Sequence, residues 1–160
     1  MIHLVTGPIC AGKSTRCREI VDSCENAGVP VLCLELDRLG HEILDEQGID
    51  EKGRAKIARQ VFADPELLAK WESGMHQQIM ARAQRHAERF IKDSPDGVVL
   101  VESAVPLDAD EYTWLAGAEV EVLEVPYQER LARGLEKGMT AEDFDARDAI
   151  QQGYDYGQRQ

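Results

Sequence analysis

Eight residues near the start of the chain, Gly7-Pro8-Ile9-Cys10-Ala11-Gly12-Lys13-Ser14, restrict what it can fold into more than any other stretch. They fit GxxxxGK followed by Ser, a pattern that functions where a buried strand turns tightly into a helix. Both flanks supply those elements. Ile2-His3-Leu4-Val5-Thr6 is a short, mostly apolar run that predicts a buried parallel strand. From Lys13 onward Cys17, Ile20, Val21, Cys24 and Ala27 recur at helical spacing, until Gly28 and Pro30 stop the element.

Each fixed position in such a loop has a physical task. Gly7 and Gly12 permit backbone angles and close approaches that a side chain would block, so the N–H groups of Ile9, Cys10, Ala11 and Gly12 can point at phosphate oxygens. Lys13 would bridge the β- and γ-phosphates, and Ser14 would give its hydroxyl to Mg²⁺. The helix that starts here, with Thr15 in its first turn, adds a favourable dipole. The stretch therefore predicts a nucleotide site that uses ATP with Mg²⁺.

Beyond the loop, Val31-Leu32-Cys33-Leu34 leads into Glu35-Leu36-Asp37 and reads as a second interior strand with acidic residues at its end. The middle third reads as helical. Ile43-Leu44 falls in a short helix, Ala55 to Phe62 in another, and Asp64-Pro65 caps a long one toward Lys92 that Gly74 bends or divides. Asp96-Gly97 precedes a third strand, Val98 to Glu102, and Val120 to Val125 alternates acidic with apolar residues as an edge strand does. After Pro126 the chain is polar and helical, and Gly153 to Gly157 reads as a fraying tail.

Alternating strands and helices predict one domain over residues 1–160, an α/β fold with an open, mostly parallel sheet of about four strands. Ligands of such sheets bind at the carboxyl ends of the strands, where the loop, Asp37 and Glu102 would all lie. The net charge of −12 argues against a broad nucleic-acid face, though not against a small anion held locally. No apolar run approaches a membrane span and the start reads as strand and loop, so the expectation is a cytoplasmic protein with a small-molecule substrate. The four cysteines, Cys10, Cys17, Cys24 and Cys33, show no metal-ligand spacing and read as structural thiols, with Cys17 and Cys24 on one helical face.

Two carboxylates carry alternative readings. A hydroxyl acceptor needs a carboxylate to orient it and take its proton, and Asp37 at a strand end facing the loop suits that task. It equally suits the N-cap of a helix over residues 38–45. Glu102 either holds a Mg²⁺-bound water or is a solvated acid at a strand end.

Several ordered segments together resemble the dephospho-coenzyme A kinase family, over about residues 1–151. Besides the loop, Glu35-Leu36-Asp37 with His41 is similar to the family's Asp-Ala-Asp segment and its His four positions on. Val61-Phe62-Ala63-Asp64-Pro65-Glu66 is similar to its Val-Phe-x-Asp-Pro-Glu, and Met75-His76 falls where the family has a His-Pro pair. Val105-Pro106-Leu107 resembles its Pro-Leu-Leu element, and Gln128, Arg130, Arg133, Arg147 and Gln151 resemble its arginine-bearing lid and following helix. The resemblance implies a P-loop kinase that phosphorylates the 3′-hydroxyl of dephospho-CoA, with a helical substrate insert at about residues 38–95 and a lid at about 127–147. It implies Asp37 as the catalytic carboxylate, Lys13, Arg130 and Arg133 on the transferred phosphoryl group, Arg147 on the nucleotide, and His41 and His76 as substrate contacts.

The sequence also departs from that family. Residues 134–139 look inserted, so Lys137 is a candidate to replace one lid arginine, and the middle region is short. The family's last strand and base-holding loop have no counterpart after Gln151, leaving four strands for five. These departures keep open a kinase for another small metabolite, nucleoside-like or sugar-like, and a nucleotide-binding regulator without catalysis.

Overall fold

The computed structural model describes residues 1–62, 64–107 and 111–156. Strand β1 (Ile2–Thr6) runs through the loop into helix α1 (Lys13–Asn26), and β2 (Val31–Glu35) passes directly into α2 (Leu36–Glu46). Then follow α3 (Glu51–Phe62), α4 (Pro65–Asp93), β3 (Val98–Ser103), a single 3₁₀ turn at Thr113–Leu115, β4 (Glu119–Val122), α5 (Tyr127–Glu136) and α6 (Ala141–Gln151). The sheet order is β2-β3-β1-β4, and every neighbouring pair is parallel. Parallel neighbours need crossovers, and α1 and the long α4 make them.

Side-chain alternation assigns each face of β3. Leu100 points to α1 and packs with Val5 and Cys17, while Val99 and Val101 point the other way, into a core with Leu4, Met80, Ala83 and Ala87. Met80, Ala83 and Ala87 recur at helical spacing, so one stripe of α4 covers that face of the sheet. Each large side chain buried there contributes about 1.5–3 kcal/mol. A smaller cluster, Ile43, Leu44 and Met75 with Trp71, joins α2 to α4 outside the sheet.

Register brings the functional ends level. Glu35 pairs with Glu102 across β2 and β3, and Val5 pairs with Glu102 across β1 and β3, so the loop after β1 opens beside both acidic strand ends. At β4, Glu121 bonds Arg16 and His3 while Val120 is exposed on the opposite face. The edge position expected for this strand is observed; its ladder ends at Val122, before the expected Val125.

Two expectations are corrected. Gly74 neither bends α4 out of helical geometry nor divides it: the helix is continuous, because Trp71 and Met75 beside it pack on α2 and Met80 to Ala87 pack on the sheet. Against those contacts the intrinsic penalty of one helical glycine, about 1 kcal/mol, is small. The tail does not fray over its described part. Tyr156 Oη donates to Ala104 O at 3.2 Å and the Tyr154 and Tyr156 rings meet edge-on, so the segment folds back over the sheet's carboxyl edge. Ala63 and Gly157, which belong to expected motifs, lie outside the described residues. Among those described, no helix is long and apolar enough to cross a membrane.

Candidate active site

The loop holds the strained geometry that its glycines predict. Gly7 has φ +142°, and a Cβ there would meet Leu123 O of the backbone at 2.8 Å. Gly12 is left-handed at φ +97° and forms the N-cap of α1, so the helix begins on the loop's last turn. Cys10 is also left-handed, with φ 58°, a region that non-glycine residues enter rarely. Lys13 Nζ donates to Gly7 O and Pro8 O at 2.9 and 3.1 Å. Burial lowers its pKa, and the charges of Glu102 and Asp37 oppose that shift.

Helices α5 and α6 grip the loop from outside. Arg130 is buried; its guanidinium donates to Val125 O at 3.0 Å, to Ile9 O at 3.3 Å and to Asp148 Oδ1 at 2.6 Å. Ile9 N–H donates to Gln151 Oε1 at 2.6 Å, so both sides of this residue's backbone are held. Arg133 donates to Cys10 O and Ala11 O at 3.3 and 3.1 Å from a half-exposed position. Lys137, one turn further along, is close enough for its charge to lower the pKa of Lys13.

On the opposite side lies an acidic recess. Ser14 Oγ donates to Glu102 Oε1 at 2.8 Å, and Glu102 Oε2 is buried without a hydrogen-bond partner among the described residues. Burial raises the Glu102 pKa, and the Ser14 bond opposes the rise. Glu35, Asp37, Ser14 and Glu102 line a recess of about 180 Å³. Asp37 is the second residue of α2 rather than its cap, since Glu35 occupies the cap position without a side-chain cap bond. The helix therefore does not consume the Asp37 carboxylate.

The donors of this recess would suit Mg²⁺. A hydroxyl at Ser14 and an orphaned carboxylate oxygen at Glu102 suit a hard cation that takes its remaining ligands from phosphate and water. Among the described residues no cluster of three or more His, Cys, Asp or Glu is placed to hold a metal on protein ligands alone.

Larger cavities flank the loop. One of about 740 Å³ lies between Pro8, the Val122–Pro126 segment, α6 and the tail, with Arg130 and Asp148 in its wall. The other, about 500 Å³, lies between α4 and the strand ends and includes Asp37 and His76. Tyr154 lines both.

The expected site residues thus divide. The loop, Lys13, Ser14, Glu102, Asp37, Arg133 and His76 converge on this edge of the sheet. The Ile9 N–H, expected to face phosphate, is taken by Gln151 Oε1. Three side chains lie apart from where they were expected. Arg130 is spent on Asp148 and backbone carbonyls and presents no free fork to a phosphoryl group. Arg147 is exposed on α6, whose inward positions are Phe144 and Asp148. His41 is exposed on α2, one position past Gly40, which faces Ile79. Asp148 was missed; its only signal in the sequence is helical phase, four residues after Phe144. Cys17 packs with Cys33 of β2 in the core cluster under α1, and all four thiols are free.

A parallel sheet whose first strand turns through a glycine loop onto a helix N-terminus, with acidic strand ends beside it, defines an open α/β fold of the P-loop type. Within that class, the chain is 29% identical over 157 residues to a dephospho-CoA kinase of Aquifex aeolicus, a match covering 89% of this chain and 76% of the relative. The resemblance read from the ordered motifs is thereby found again over most of the chain. No family model matches. Among solved structures, TT1252 from Thermus thermophilus superposes with a TM-score of 0.65 at 24% identity, covering 94% of this chain and 79% of that one. APE1195 superposes with a TM-score of 0.51 at 16% identity, covering 97% and 79%. Both likenesses concern the fold.

Proposed function

We propose that this chain is an ATP-dependent kinase that transfers the terminal phosphoryl group to a small-molecule hydroxyl, with the 3′-hydroxyl of dephospho-CoA as its acceptor. The observation that carries the reading is the recess in which Ser14, Glu102 and Asp37 meet beside the loop that bears Lys13. The similarity to the Aquifex aeolicus relative supports the acceptor.

In this reading the loop amides and Lys13 hold the β- and γ-phosphates, and the larger cavity takes the nucleoside half of ATP. Asp37 orients the acceptor hydroxyl and removes its proton. Arg133 and Lys137 offset charge on the transferred group, a task that Arg130, locked to Asp148, leaves to them. Mg²⁺, held by Ser14 directly and by Glu102 through water, would neutralise phosphate charge.

The test incubates the purified full chain with Mg-ATP and dephospho-CoA. CoA and ADP should form in equal amounts, and their absence at high enzyme concentration overturns this acceptor. Transfer undiminished in Asp37→Asn overturns the base assignment.

A further inference from the structure

We propose that Cys17 and Cys33 form an oxidisable pair, and that a small neutral hydroperoxide closes them into a disulfide that ties helix α1 to strand β2 and weakens nucleotide binding at the loop. The bond itself is independent of the kinase reading above; its effect on nucleotide rests on that reading.

Register brings the two thiols together. Cys33 pairs with Leu100 across β2 and β3, so its side chain takes the same face of the sheet as Leu100, the face that α1 covers. Cys17 comes down from α1 onto that face, 3% exposed, in one cluster with Leu100 and Val5, and Cys33 packs against the cluster. The contact polarises the pair. The Cys17 S–H donates to the Cys33 sulfur, which holds the Cys33 thiol below its ordinary pKa and, with burial, pushes that of Cys17 up. Cys33 is therefore the nucleophile. It is also the reachable sulfur, since β2 is an edge strand of the sheet and Cys33 is half-buried.

Charge and room select the oxidant. Glu35 and Glu102 stand close enough to oppose negative charge at both sulfurs, which disfavours an anionic thiol reagent, and the cover of α1 disfavours a bulky disulfide. A small neutral hydroperoxide meets neither obstacle. Cys33 attacks its O–O bond, becomes the sulfenic acid and releases an alcohol or water. The Cys17 sulfur then displaces the sulfenic hydroxyl, which leaves as water with the Cys17 proton; two electrons have passed from the thiols to the peroxide.

The bond lies near the site at both of its ends. Cys17 follows Lys13 by one helical turn, and Cys33 stands two residues before Glu35 on the strand that delivers Asp37. Bonded sulfurs are about 2.05 Å apart, well inside the roughly 3.5–4 Å of touching atoms, so closing the pair draws α1 toward β2. A close-packed core around Leu100 and Val5 transmits that shift instead of absorbing it. It reaches the start of α1, where Ser14 Oγ bonds Glu102 at 2.8 Å and Lys13 Nζ bonds the loop carbonyls.

The closing experiment treats the reduced full chain with excess hydrogen peroxide and reads intact mass, free thiols and ADP affinity with Mg²⁺. The mass should fall by two hydrogens, and trypsin, cutting after Arg16, Arg18 and Arg38, should leave the Cys17-Arg18 dipeptide joined to residues 19–38. Cys24→Ser should form the same bond, which separates Cys33 from Cys24 as the partner, whereas Cys17→Ala and Cys33→Ala should not form it. Oxidation should weaken ADP binding by about fivefold or more, and a dithiol reductant should restore it. In Cys33→Ala, peroxide should leave ADP affinity within about twofold of its untreated value. Four free thiols after peroxide, a Cys17–Cys24 bond, or a Cys17–Cys33 bond without loss of ADP affinity overturns the proposal. Equal weakening in Cys33→Ala also overturns it, by placing the effect at Cys10 in the loop. Failure of the reduced chain to bind ADP overturns the kinase reading and the effect on nucleotide together, while the bond is still judged by mass.

Discussion

The pair Arg130–Asp148 offers the sharpest test of how the loop is held. Its side chains are 9% and 4% exposed, and the guanidinium reaches Val125 O and Ile9 O as well as the carboxylate. Asp148→Leu leaves a buried guanidinium without its counter-charge, which costs about 3–5 kcal/mol. At roughly 2–4 °C per kcal/mol for a domain of this size, the melting temperature should fall by about 6–20 °C. Replacing both partners by apolar residues, Arg130→Met with Asp148→Leu, removes the unpaired charge, so stability should return to within about 1 kcal/mol of the parent or exceed it. Nucleotide affinity should not return, because the double variant lacks the donor to Ile9 O. A tenfold weaker ADP affinity, about 1.4 kcal/mol, is expected in Arg130→Met and in the double variant alike. Thermal unfolding and ADP titration with Mg²⁺ on the four proteins of the cycle measure both quantities. Recovery of affinity together with stability would refute the reasoning, since the pair would then only join the helices. Acid provides a second readout. Burial alone would raise the Asp148 pKa, but the bonds from Arg130 and Gln152 prevail and hold it below the ordinary value. A depressed carboxyl contributes stability that is complete above its unfolded pKa, about 3.9, and is lost as pH falls through the folded one. The parent's stability should therefore decline relative to the double variant below about pH 4.

The remaining predictions concern the recess and the loop. Asp37→Asn should lower acceptor-dependent transfer by about 10²–10⁴ while ADP affinity stays within about twofold, because the base acts on the acceptor alone; single-turnover kinetics beside an ADP titration check the split. Glu102→Gln keeps a partner for Ser14 but removes the charge beside the proposed cation, so the Mg²⁺ concentration for half-maximal nucleotide binding should rise by about tenfold or more, read by titration with Mg²⁺. Gly7→Ala places a Cβ 2.8 Å from Leu123 O at φ +142°, so it should cost on the order of 1–3 kcal/mol in urea unfolding and weaken ADP binding in the same protein. Wild-type affinity in that variant would show that the loop tolerates a side chain at its tightest approach.

The elements that the sequence made legible are those whose signals are local. A strand, two fixed glycines, a lysine and an amphipathic helix follow one another without interruption, so β1, the loop and α1 could be read residue by residue. Asp64 also states its role locally, accepting from Glu66 N and Leu67 N ahead of a proline in the first turn. Gly74 misled because propensity is a weak term once packing holds both sides of a helix. The tail's polar and glycine-rich composition said nothing of Ala104, since that contact is set by the path of α6 rather than by neighbouring residues. His41 and Arg147 lie exposed on their helices for a related reason. A motif fixes a position along the chain, while helical phase, fixed by which stripe meets the core, decides whether that position faces the site.

Helix α5 shows how phase separates residues that sequence reasoning treats as equivalent. Arg130 and Gly134, four apart, form its buried stripe, whereas Arg133 and Lys137, also four apart, form the neighbouring stripe toward the loop. The buried stripe can approach the loop because position 134 has no side chain: a Cβ there would lie 3.0 Å from Phe144 and 3.6 Å from Cys10 Sγ. That approach carries Arg130 to Ile9 O, and Asp148 then supplies the counter-charge that so dry a place demands. Anchoring and chemistry are thus assigned to different faces of one turn. A cation buried to anchor the helix is unavailable to a phosphate, so the lid role in the proposed reading falls to Arg133 and Lys137 as a consequence of Gly134, not of the arginine spacing alone.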